Sequence, residues 1–204
     1  MKILVIGGTG TIGKAIVETL ATENEVISVG NRSGDYRVDL ESKESIEQLF
    51  EAVGKVDAII NATGKGEFAK FNDRSDTPYN LVLDNKIMGQ VDLTRIGLNY
   101  LNKNGSITLI SGNAARKPFP GTAAMAMGCA AIDAFVGTAA LEIDEDKRIN
   151  VVSPSFVKET MQMMGMDSSH GIAAADVASY FQASVTGTDN GTIFQALEGA
   201  YVNE

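Results

Sequence analysis

Short apolar runs rich in β-branched residues alternate along the chain with longer segments in which apolar residues recur at helical spacing. The short runs predict β-strands over residues 2–6, 25–29, 36–38, 56–60, 106–110, 148–152 and 192–196. The longer segments predict helices over residues 14–21, 43–53, 79–101, 123–142 and 175–184. This alternation is typical of βαβ units, in which helices cover both faces of a parallel sheet.

The chain carries no internal repeat, low-complexity tract or flexible linker that would divide it. We therefore predict one α/β domain over residues 1–204, with a doubly wound, seven-stranded parallel sheet in a three-layer α/β/α arrangement. In open sheets of this kind, ligands bind at the carboxyl ends of the strands. The residues that follow each strand are therefore the candidates for a functional site.

The composition narrows the range of partners. The chain has 26 acidic and 17 basic side chains and a formal charge of -9, which disfavours nucleic acid and anionic membranes and favours small molecules or other proteins. One cysteine, Cys129, and one histidine leave no internal disulfide and no Cys/His metal cluster, so we expect no metal. The N-terminus lacks the features of a signal peptide, and no apolar stretch is long enough to span a bilayer, which predicts a cytoplasmic protein.

The first predicted strand runs directly into a glycine-rich loop at residues 7–13, with the sequence G-G-T-G-T-I-G. The loop contains G-x-G-x-x-G and opens an amphipathic helix, the context in which such a loop holds a dinucleotide pyrophosphate at the helix N-terminus. We therefore predict a Rossmann-type fold that binds NAD(P). A glycine-rich turn without a ligand is the alternative. The expected cofactor contacts in the loop are Gly7, Thr9, Gly10, Thr11, Ile12 and Gly13.

The residues after the second predicted strand favour NADP over NAD. Residues 30–33 contain no acid that would bind the ribose hydroxyls of NAD, whereas Arg32 and Ser33 suit a 2′-phosphate. The alternative is that Arg32 is a solvated loop residue and that Asp35 binds the ribose. The expected contacts with the adenosine end, including two residues after the third strand, are Asn31, Arg32, Ser33, Asp39 and Leu40.

Two further segments resemble motifs of the short-chain dehydrogenase/reductase family. Residues 61–64, N-A-T-G, resemble its N-N-A-G, and residues 148–157, R-I-N-V-V-S-P-S-F-V, resemble its R-V-N-x-V-x-P-G-x-x. The resemblance covers essentially the whole chain, although the chain is short for the family in the segment after Val157. It implies an NAD(P)-dependent oxidoreductase whose further cofactor contacts are Asn61, Ala62, Thr63, Gly64, Pro154, Ser155 and Val157.

The catalytic positions of the family carry other residues in this chain. Residues 105–112 resemble its G-S-I-V-x-I-S-S, and residues 130–136 resemble the A-A-V-D-A-F-V that follows its lysine, which sets the register without gaps. In this register the positions of the family's Ser, Tyr and Lys hold Gly112, Met125 and Cys129. Methionine cannot transfer a proton, and Cys129 is either a small buried apolar residue or an activated thiolate beside a cation.

Two nearby residues, Ser111 and Lys86, remain as catalytic candidates. Ser111 follows the fifth strand, and Lys86 follows Asp84 and Asn85, either of which can be placed at the family's Asn position. Lys86 is either an electrophile or replacement acid with a pKa depressed by burial, or a surface residue of a long helix. An adjacent polar stretch either binds an anionic substrate or is solvated, and it comprises Ser111, Asn113, Arg116 and Lys117.

Two functions are compatible with a retained cofactor site and an altered catalytic group. The first is an atypical NADP-dependent oxidoreductase that passes hydride to a small-molecule acceptor needing no tyrosine-like acid, such as a quinone. Methionines at 125, 127 and 161–166 either line its pocket or are incidental. The second is a non-catalytic NADP-binding sensor or regulatory protein. The resemblance also implies a homodimer or homotetramer built from the helices at 79–101 and 123–142, the second of which is rich in small residues.

Overall fold

One parallel sheet organises residues 1–199, the part of the chain that the computed structural model describes. Its strands are β1 (Lys2–Ile6), β2 (Glu25–Gly30), β3 (Tyr36–Arg37), β4 (Val56–Asn61), β5 (Leu101–Ile110), β6 (Arg148–Pro154) and β7 (Ile193–Ala196). Their order across the sheet is β3-β2-β1-β4-β5-β6-β7, so the switch in winding direction falls between β1 and β4. Residues 200–204 of the predicted domain lie outside the described residues.

Helices connect the strands as the apolar periodicity predicts. In the described part of the chain they are α1 (Thr11–Leu20), α2 (Lys43–Val53), α3 (Thr77–Leu81), α4 (Gly89–Gly97), α5 (Ala123–Ala139), α6 (Lys158–Met163) and α7 (Ala174–Thr186). A π-helical turn, Val82–Met88, joins α3 to α4. The Ser42 side chain caps the start of α2 by accepting a hydrogen bond from the Ser45 amide, and Gly54, with φ of 73°, ends the helix.

Alternate residues of the buried strands contribute to two apolar cores, one on each face of the sheet. In β1, Leu4 and Ile6 belong to the core covered by α2, α4 and α5, whereas Ile3 and Val5 belong to the core covered by α1 and α7. This separation follows from the two-residue period of a strand. The predicted doubly wound, three-layer α/β/α fold is confirmed.

The bounds of α1, α5 and α7 differ from the prediction by one to three residues, and three other elements differ more. β5 begins at Leu101 instead of residue 106. Its first part pairs with Val56 and its later part with Ala58 and beyond, and the shift in register between the two accommodates the polar residues 102–105, among which Asn104 has a left-handed φ of 63°. The predicted helix at 79–101 is a helical run from 77 to 100 that contains the π-helical turn. The six-residue helix α6 is too short to show a helical period in the sequence.

Within residues 1–199, no helix combines the length and the apolar character that a bilayer-spanning segment requires. The same residues bring together no group of three or more His, Cys, Asp and Glu side chains that could hold a metal ion. The candidate chemistry therefore has to be sought at the carboxyl ends of the strands.

Candidate functional site

The glycine loop forms a tight turn at the carboxyl end of β1. Gly7 has a positive φ of 81°, and the Gly7 and Gly8 amides donate to the Val29 carbonyl oxygen over 2.7 and 3.0 Å. A Cβ atom on Gly13 would collide with the Gly7 carbonyl group, so α1 packs against the loop at a distance that only glycine permits. The loop therefore has the close strand-to-helix packing of a dinucleotide cradle.

The N-terminus of α1 is open to an anion. Its N-cap residue, Gly10, supplies no capping side chain, and the first turn carries no acidic residue. The first amides of a helix have no partner within the helix, and they carry the positive end of its dipole. A pyrophosphate fits these requirements, because its oxygens would accept hydrogen bonds from the free amides.

The carboxyl end of β2 lies beside the glycine loop, and the residues that follow it, 31–37, are exposed. Arg32 is among these exposed residues. The Asp35 carboxylate accepts a hydrogen bond from the Ser28 amide over 2.9 Å, and the Asp35 amide donates to the Ser28 carbonyl oxygen over 2.7 Å. Asp35 is thus held against its own strand, which weakens the alternative in which Asp35 binds a ribose.

The two residues expected at the adenine lie in different environments. Leu40 is buried in the core, where a Cβ atom on Gly89 would lie 3.0 Å from its Cβ atom and from its carbonyl oxygen. Asp39 is exposed, and its carboxylate accepts a hydrogen bond from the Glu41 amide over 3.1 Å. A ligand at this edge would therefore meet the Asp39 side chain and mainly the main chain of Leu40.

The loop after β4 is fixed by a fully buried asparagine. The Asn61 side chain accepts hydrogen bonds from the Thr63 hydroxyl over 2.8 Å and the Thr63 amide over 3.3 Å, and it donates to the Thr63 carbonyl oxygen over 3.2 Å. A Cβ atom on Gly7 would collide with the Thr63 side chain, so this loop lies directly against the glycine loop. Asn61 therefore holds Ala62, Thr63 and Gly64 in place beside the glycine loop.

Lys86 is buried in the π-helical turn and reaches the carboxyl end of β5. Only 2% of the residue is exposed, and Nζ donates to the Ser111 carbonyl oxygen over 3.0 Å. The same nitrogen lies 3.0 Å from the position that a Cβ atom on Gly64 would take. Desolvation lowers the pKa of the Lys86 ammonium, against smaller opposing effects of Cys129 and Asp133. Lys86 is therefore not a surface residue.

The side chain of the neighbouring Asn85 forms hydrogen bonds with residues of other segments. Its side-chain oxygen accepts a hydrogen bond from the Lys65 amide over 3.0 Å, and its nitrogen donates to Glu41 over 3.1 Å. Glu41 also pairs with the Lys65 ammonium over 2.8 Å, and this contact is the main cause of a lowered pKa of the Glu41 carboxyl. Asn85 thus holds the loop after β4, while Lys86 faces Ser111.

Two of the positions that replace the family's catalytic group, Gly112 and Cys129, lie near this lysine, as does Ser111. The Ser111 hydroxyl is buried and has no hydrogen-bond partner within the described residues. A Cβ atom on Gly112 would lie 3.0 Å from the Cys129 sulfur, so these two positions are neighbours. The Met125 sulfur packs so closely on Gly66 that a Cβ atom there would overlap it.

An ion pair that the sequence does not predict fixes the loop after β5. Arg116 donates to the Asp133 carboxylate over 2.6 Å and to the Ser153 hydroxyl over 2.5 Å. Arg116 is therefore engaged within the protein, which weakens the interpretation that it binds an anionic substrate. The available signal is Asp133 itself, an acid inside the apolar stretch 130–136.

The segment after β6 connects the expected nicotinamide end to the glycine loop. The Ser155 amide donates to the Ala196 carbonyl oxygen over 2.9 Å, and Val157 forms a parallel bridge with Ile172. α6 then brings the Met163 sulfur to 3.8 Å from the Thr11 hydroxyl oxygen. α6 therefore links the segment that contains Pro154, Ser155 and Val157 to the start of α1.

We predict that Cys129 does not react with thiol reagents in the folded protein. The residue is 1% exposed, and desolvation raises the pKa of its thiol, although Lys86 opposes this effect. A buried thiol with a raised pKa provides little thiolate for reaction. Labelling with a disulfide reagent at mildly alkaline pH should be absent in native protein and complete in denaturant. Rapid labelling of the native protein would instead support the activated thiolate.

Comparison with known proteins defines the class. A family model described as enoyl-(acyl carrier protein) reductase matches residues 8–197. An uncharacterized oxidoreductase from Methylorubrum extorquens is 24% identical over 84% of this chain and 80% of its own length. The similarity to 11-beta-hydroxysteroid dehydrogenases 1A and 1B from Arabidopsis thaliana is 28% identity over 57% of this chain and only 34% of each of those proteins.

Solved structures agree with this result. The protein lin1944 from Listeria innocua is 38% identical, with a TM-score of 0.91 and coverage of 96% of this chain and 98% of that chain. A small-chain dehydrogenase in complex with NADPH is 27% identical, with a TM-score of 0.88 and coverage of 98% and 97%. The fold and the glycine cradle define a dinucleotide-binding α/β protein. The chain belongs to the short-chain dehydrogenase/reductase family of NAD(P)-dependent oxidoreductases.

Proposed function

We propose that this protein is an NADP(H)-dependent oxidoreductase that acts on a small molecule without the Ser, Tyr and Lys of the family. The observation that carries the proposal is the glycine cradle, where side chains at Gly7 or Gly13 would fill the turn and the N-terminus of α1 has no internal cap. The NADPH complex of a relative with 27% identity supports the same assignment.

NADP is favoured over NAD by the arrangement at the end of β2. Within residues 1–199 the exposed Arg32 guanidinium has no ion pair or side-chain hydrogen bond, whereas the Asp35 carboxylate is held by the Ser28 amide. A guanidinium binds phosphate oxygens with paired, charge-assisted hydrogen bonds. Arg32 is therefore available for a 2′-phosphate.

Replacing Arg32 with alanine should weaken NADPH binding by about tenfold or more, since a charge-assisted hydrogen bond contributes about 1.5–3 kcal/mol. NADH binding should change little, because NADH has no 2′-phosphate. Calorimetric titration of both nucleotides measures the two dissociation constants. Lys103→Ala, which removes an exposed cation near the amino end of β5, is the control. Tighter binding of NADH than of NADPH by the unmodified protein would overturn the assignment of NADP.

The chain's own residues suggest how a proton is handled. The glycine loop and Arg32 would hold NADPH, which would supply the hydride. Lys86 Nζ donates a hydrogen bond to the Ser111 carbonyl oxygen. The lowered pKa of Lys86 makes its ammonium a stronger acid than that of an exposed lysine. We assign Lys86 as the proton donor or electrophile and the unpaired Ser111 hydroxyl as the group that orients the acceptor.

A non-catalytic NADP-binding sensor is the second candidate. It is favoured by Met125, a thioether packed on Gly66 that carries no transferable proton, and by Gly112, which offers only main chain. The two functions differ in one result, because a sensor binds NADPH without consuming it in the presence of any acceptor.

We further propose that the protein assembles as a homodimer or homotetramer through α4 and α5. A groove beside these helices is lined by the partly buried Leu98, Phe135 and Ile143. Apart from its own helix, no atom of residues 1–199 lies within 4 Å of the position that a Cβ atom on Gly137, in α5, would take. Small residues of this kind allow a helix of a second copy to approach closely.

A further inference from the structure

Three phenylalanines from separate loops meet at the carboxyl edge of the sheet. Phe68 follows β4, Phe119 follows β5 and Phe156 follows β6, and these strands are neighbours in the sheet. The ring centroids lie 6.5 Å apart for Phe68 and Phe119, 6.4 Å for Phe68 and Phe156, and 5.8 Å for Phe119 and Phe156. We call this set the aromatic cluster.

The aromatic cluster is exposed even though its rings contact one another. Phe68, Phe119 and Phe156 are 47%, 48% and 40% exposed, whereas the core residues Phe50 and Phe181 are fully buried. Burying a phenylalanine side chain is favourable by about 1.5–3 kcal/mol, so this surface stands to gain from a ligand that covers it. Contiguous exposed apolar patches commonly mark binding sites.

Main-chain hydrogen bonds hold the three loops in position. The Ala69 amide donates to the Gly121 carbonyl oxygen over 3.0 Å, which joins the loops of Phe68 and Phe119. The Thr122 hydroxyl donates to the Phe119 carbonyl oxygen over 2.6 Å, and the Ile172 amide donates to the Phe156 carbonyl oxygen over 3.0 Å. A ligand would therefore meet largely ordered loops, which lowers the entropic cost of binding.

The aromatic cluster adjoins the proposed reaction site on two sides. Phe156 lies between Ser155 and Val157, in the stretch expected to contact the nicotinamide. Phe68 lies two residues after Gly66, on which the Met125 sulfur packs. The aromatic cluster thus lies next to the residues expected to contact the nicotinamide and next to Met125, at the position where the family has its tyrosine.

The orientation of the rings favours a flat aromatic ligand. Phe68 and Phe156 are nearly parallel, at 16°, while Phe119 is steeply inclined to both, at 82° and 75°. The cluster can therefore stack one ring face against a planar ligand and present a ring edge to it, the two arrangements that aromatic pairs prefer. A saturated ligand would gain only from the burial of apolar area.

We infer that the substrate of this protein carries a planar aromatic or conjugated ring, which binds against Phe68, Phe119 and Phe156. That the bound ring is a substrate rests on the proposed function, whereas binding of the ring to the aromatic cluster does not require the cofactor. The inference therefore names the class of substrate for the proposed enzyme.

Calorimetry with a matched pair of ligands tests the inference. The unmodified protein should bind 2-naphthol more tightly than decahydro-2-naphthol, which has the same carbon skeleton without aromatic rings. Phe68→Leu and Phe119→Leu keep an apolar side chain and should weaken 2-naphthol binding by about three- to tenfold, the loss expected for an aromatic pair. Phe71→Leu, at a phenylalanine that is 78% exposed in the turn after Phe68, is the matched control and should have no effect. NADPH binding should be unchanged in all three variants.

Equal binding of the two ligands, or no effect of Phe68→Leu and Phe119→Leu, would overturn the inference. If Phe68→Leu or Phe119→Leu changed the mass measured by light scattering and left 2-naphthol binding unchanged, the aromatic cluster would be a contact between subunits and the inference would be overturned. Failure of NADPH to bind would reject the proposed function, and the 2-naphthol titrations without nucleotide would still decide whether the aromatic cluster binds a planar ring.

Discussion

Replacing Gly13 with alanine should abolish measurable NADPH binding and lower the free energy of unfolding by about 2 kcal/mol. The added methyl group would overlap the Gly7 carbonyl group, and both partners in this collision are main chain. α1 would have to move away from the glycine loop, which separates the helix N-terminus from the turn that shapes the pyrophosphate site. Denaturant unfolding and calorimetric titration with NADPH measure the two effects.

Gly137→Ala is the matched control for this substitution. Gly137 is also a helical glycine, but apart from its own helix no atom of residues 1–199 lies within 4 Å of the position of a Cβ atom there. Within one subunit, alanine there should raise the free energy of unfolding by about 0.5–1 kcal/mol through helix propensity, with NADPH affinity unchanged. Light scattering measures assembly separately, because α5 belongs to the proposed subunit contact and a side chain at Gly137 is expected to weaken that contact. NADPH binding by Gly13→Ala at the affinity of the unmodified protein would contradict the assigned role of the cradle.

Replacing Lys86 with methionine should lower kcat/KM by about a hundredfold or more, the range of a general acid. Methionine has a similar shape and fills the same buried space, so the free energy of unfolding should change by less than about 2 kcal/mol. Lys103→Met, which removes an exposed ammonium near the amino end of β5, is the matched control and should leave kcat/KM within about twofold. Equal kcat/KM values in Lys86→Met and the unmodified protein would contradict proton donation by Lys86.

The pH dependence separates a proton donor from a residue that only packs. The acid form of Lys86 is the ammonium, and its pKa lies below the ordinary 10.5. The activity of the unmodified protein should therefore fall as pH rises through that lowered value, and Lys86→Met should lack this decline.

The free energy of unfolding has the opposite dependence. Between the lowered pKa and 10.5 the unfolded chain binds more protons at Lys86 than the folded chain does. The stability of the unmodified protein should therefore increase with pH relative to Lys86→Met in that window.

The sequence predicts the sheet and the glycine loop because both depend on short-range patterns. Period-two and continuous apolar runs identify the strands, and the position of the glycines between β1 and α1 identifies the nucleotide cradle. The start of β5 is not predictable in this way, since residues 102–105 are polar and are drawn into the strand by a register shift against β4. The short helix α6 has too few residues to show a period.

The candidate site is less accessible from the sequence, because side-chain direction depends on tertiary contacts. A π-helical turn changes the helical register locally, so periodicity does not reveal that Lys86 is buried while Asn85 holds a loop. Arg116, in the loop after β5, donates to Asp133 of α5 and to Ser153 of β6. The aromatic cluster joins three loops that are distant in the sequence, and it becomes evident only when β4, β5 and β6 are placed side by side.

The most direct test of an NADP-dependent oxidoreductase is single-turnover oxidation of bound NADPH. The purified protein is loaded with NADPH, and the nicotinamide absorbance is followed after addition of quinones and carbonyl compounds. Loss of the absorbance in proportion to bound NADPH with at least one acceptor, slowed in Lys86→Met, is the predicted result. Binding of NADPH without oxidation by any acceptor would contradict the enzyme and favour the sensor, and no binding of NADPH would contradict the assignment of the glycine loop and Arg32.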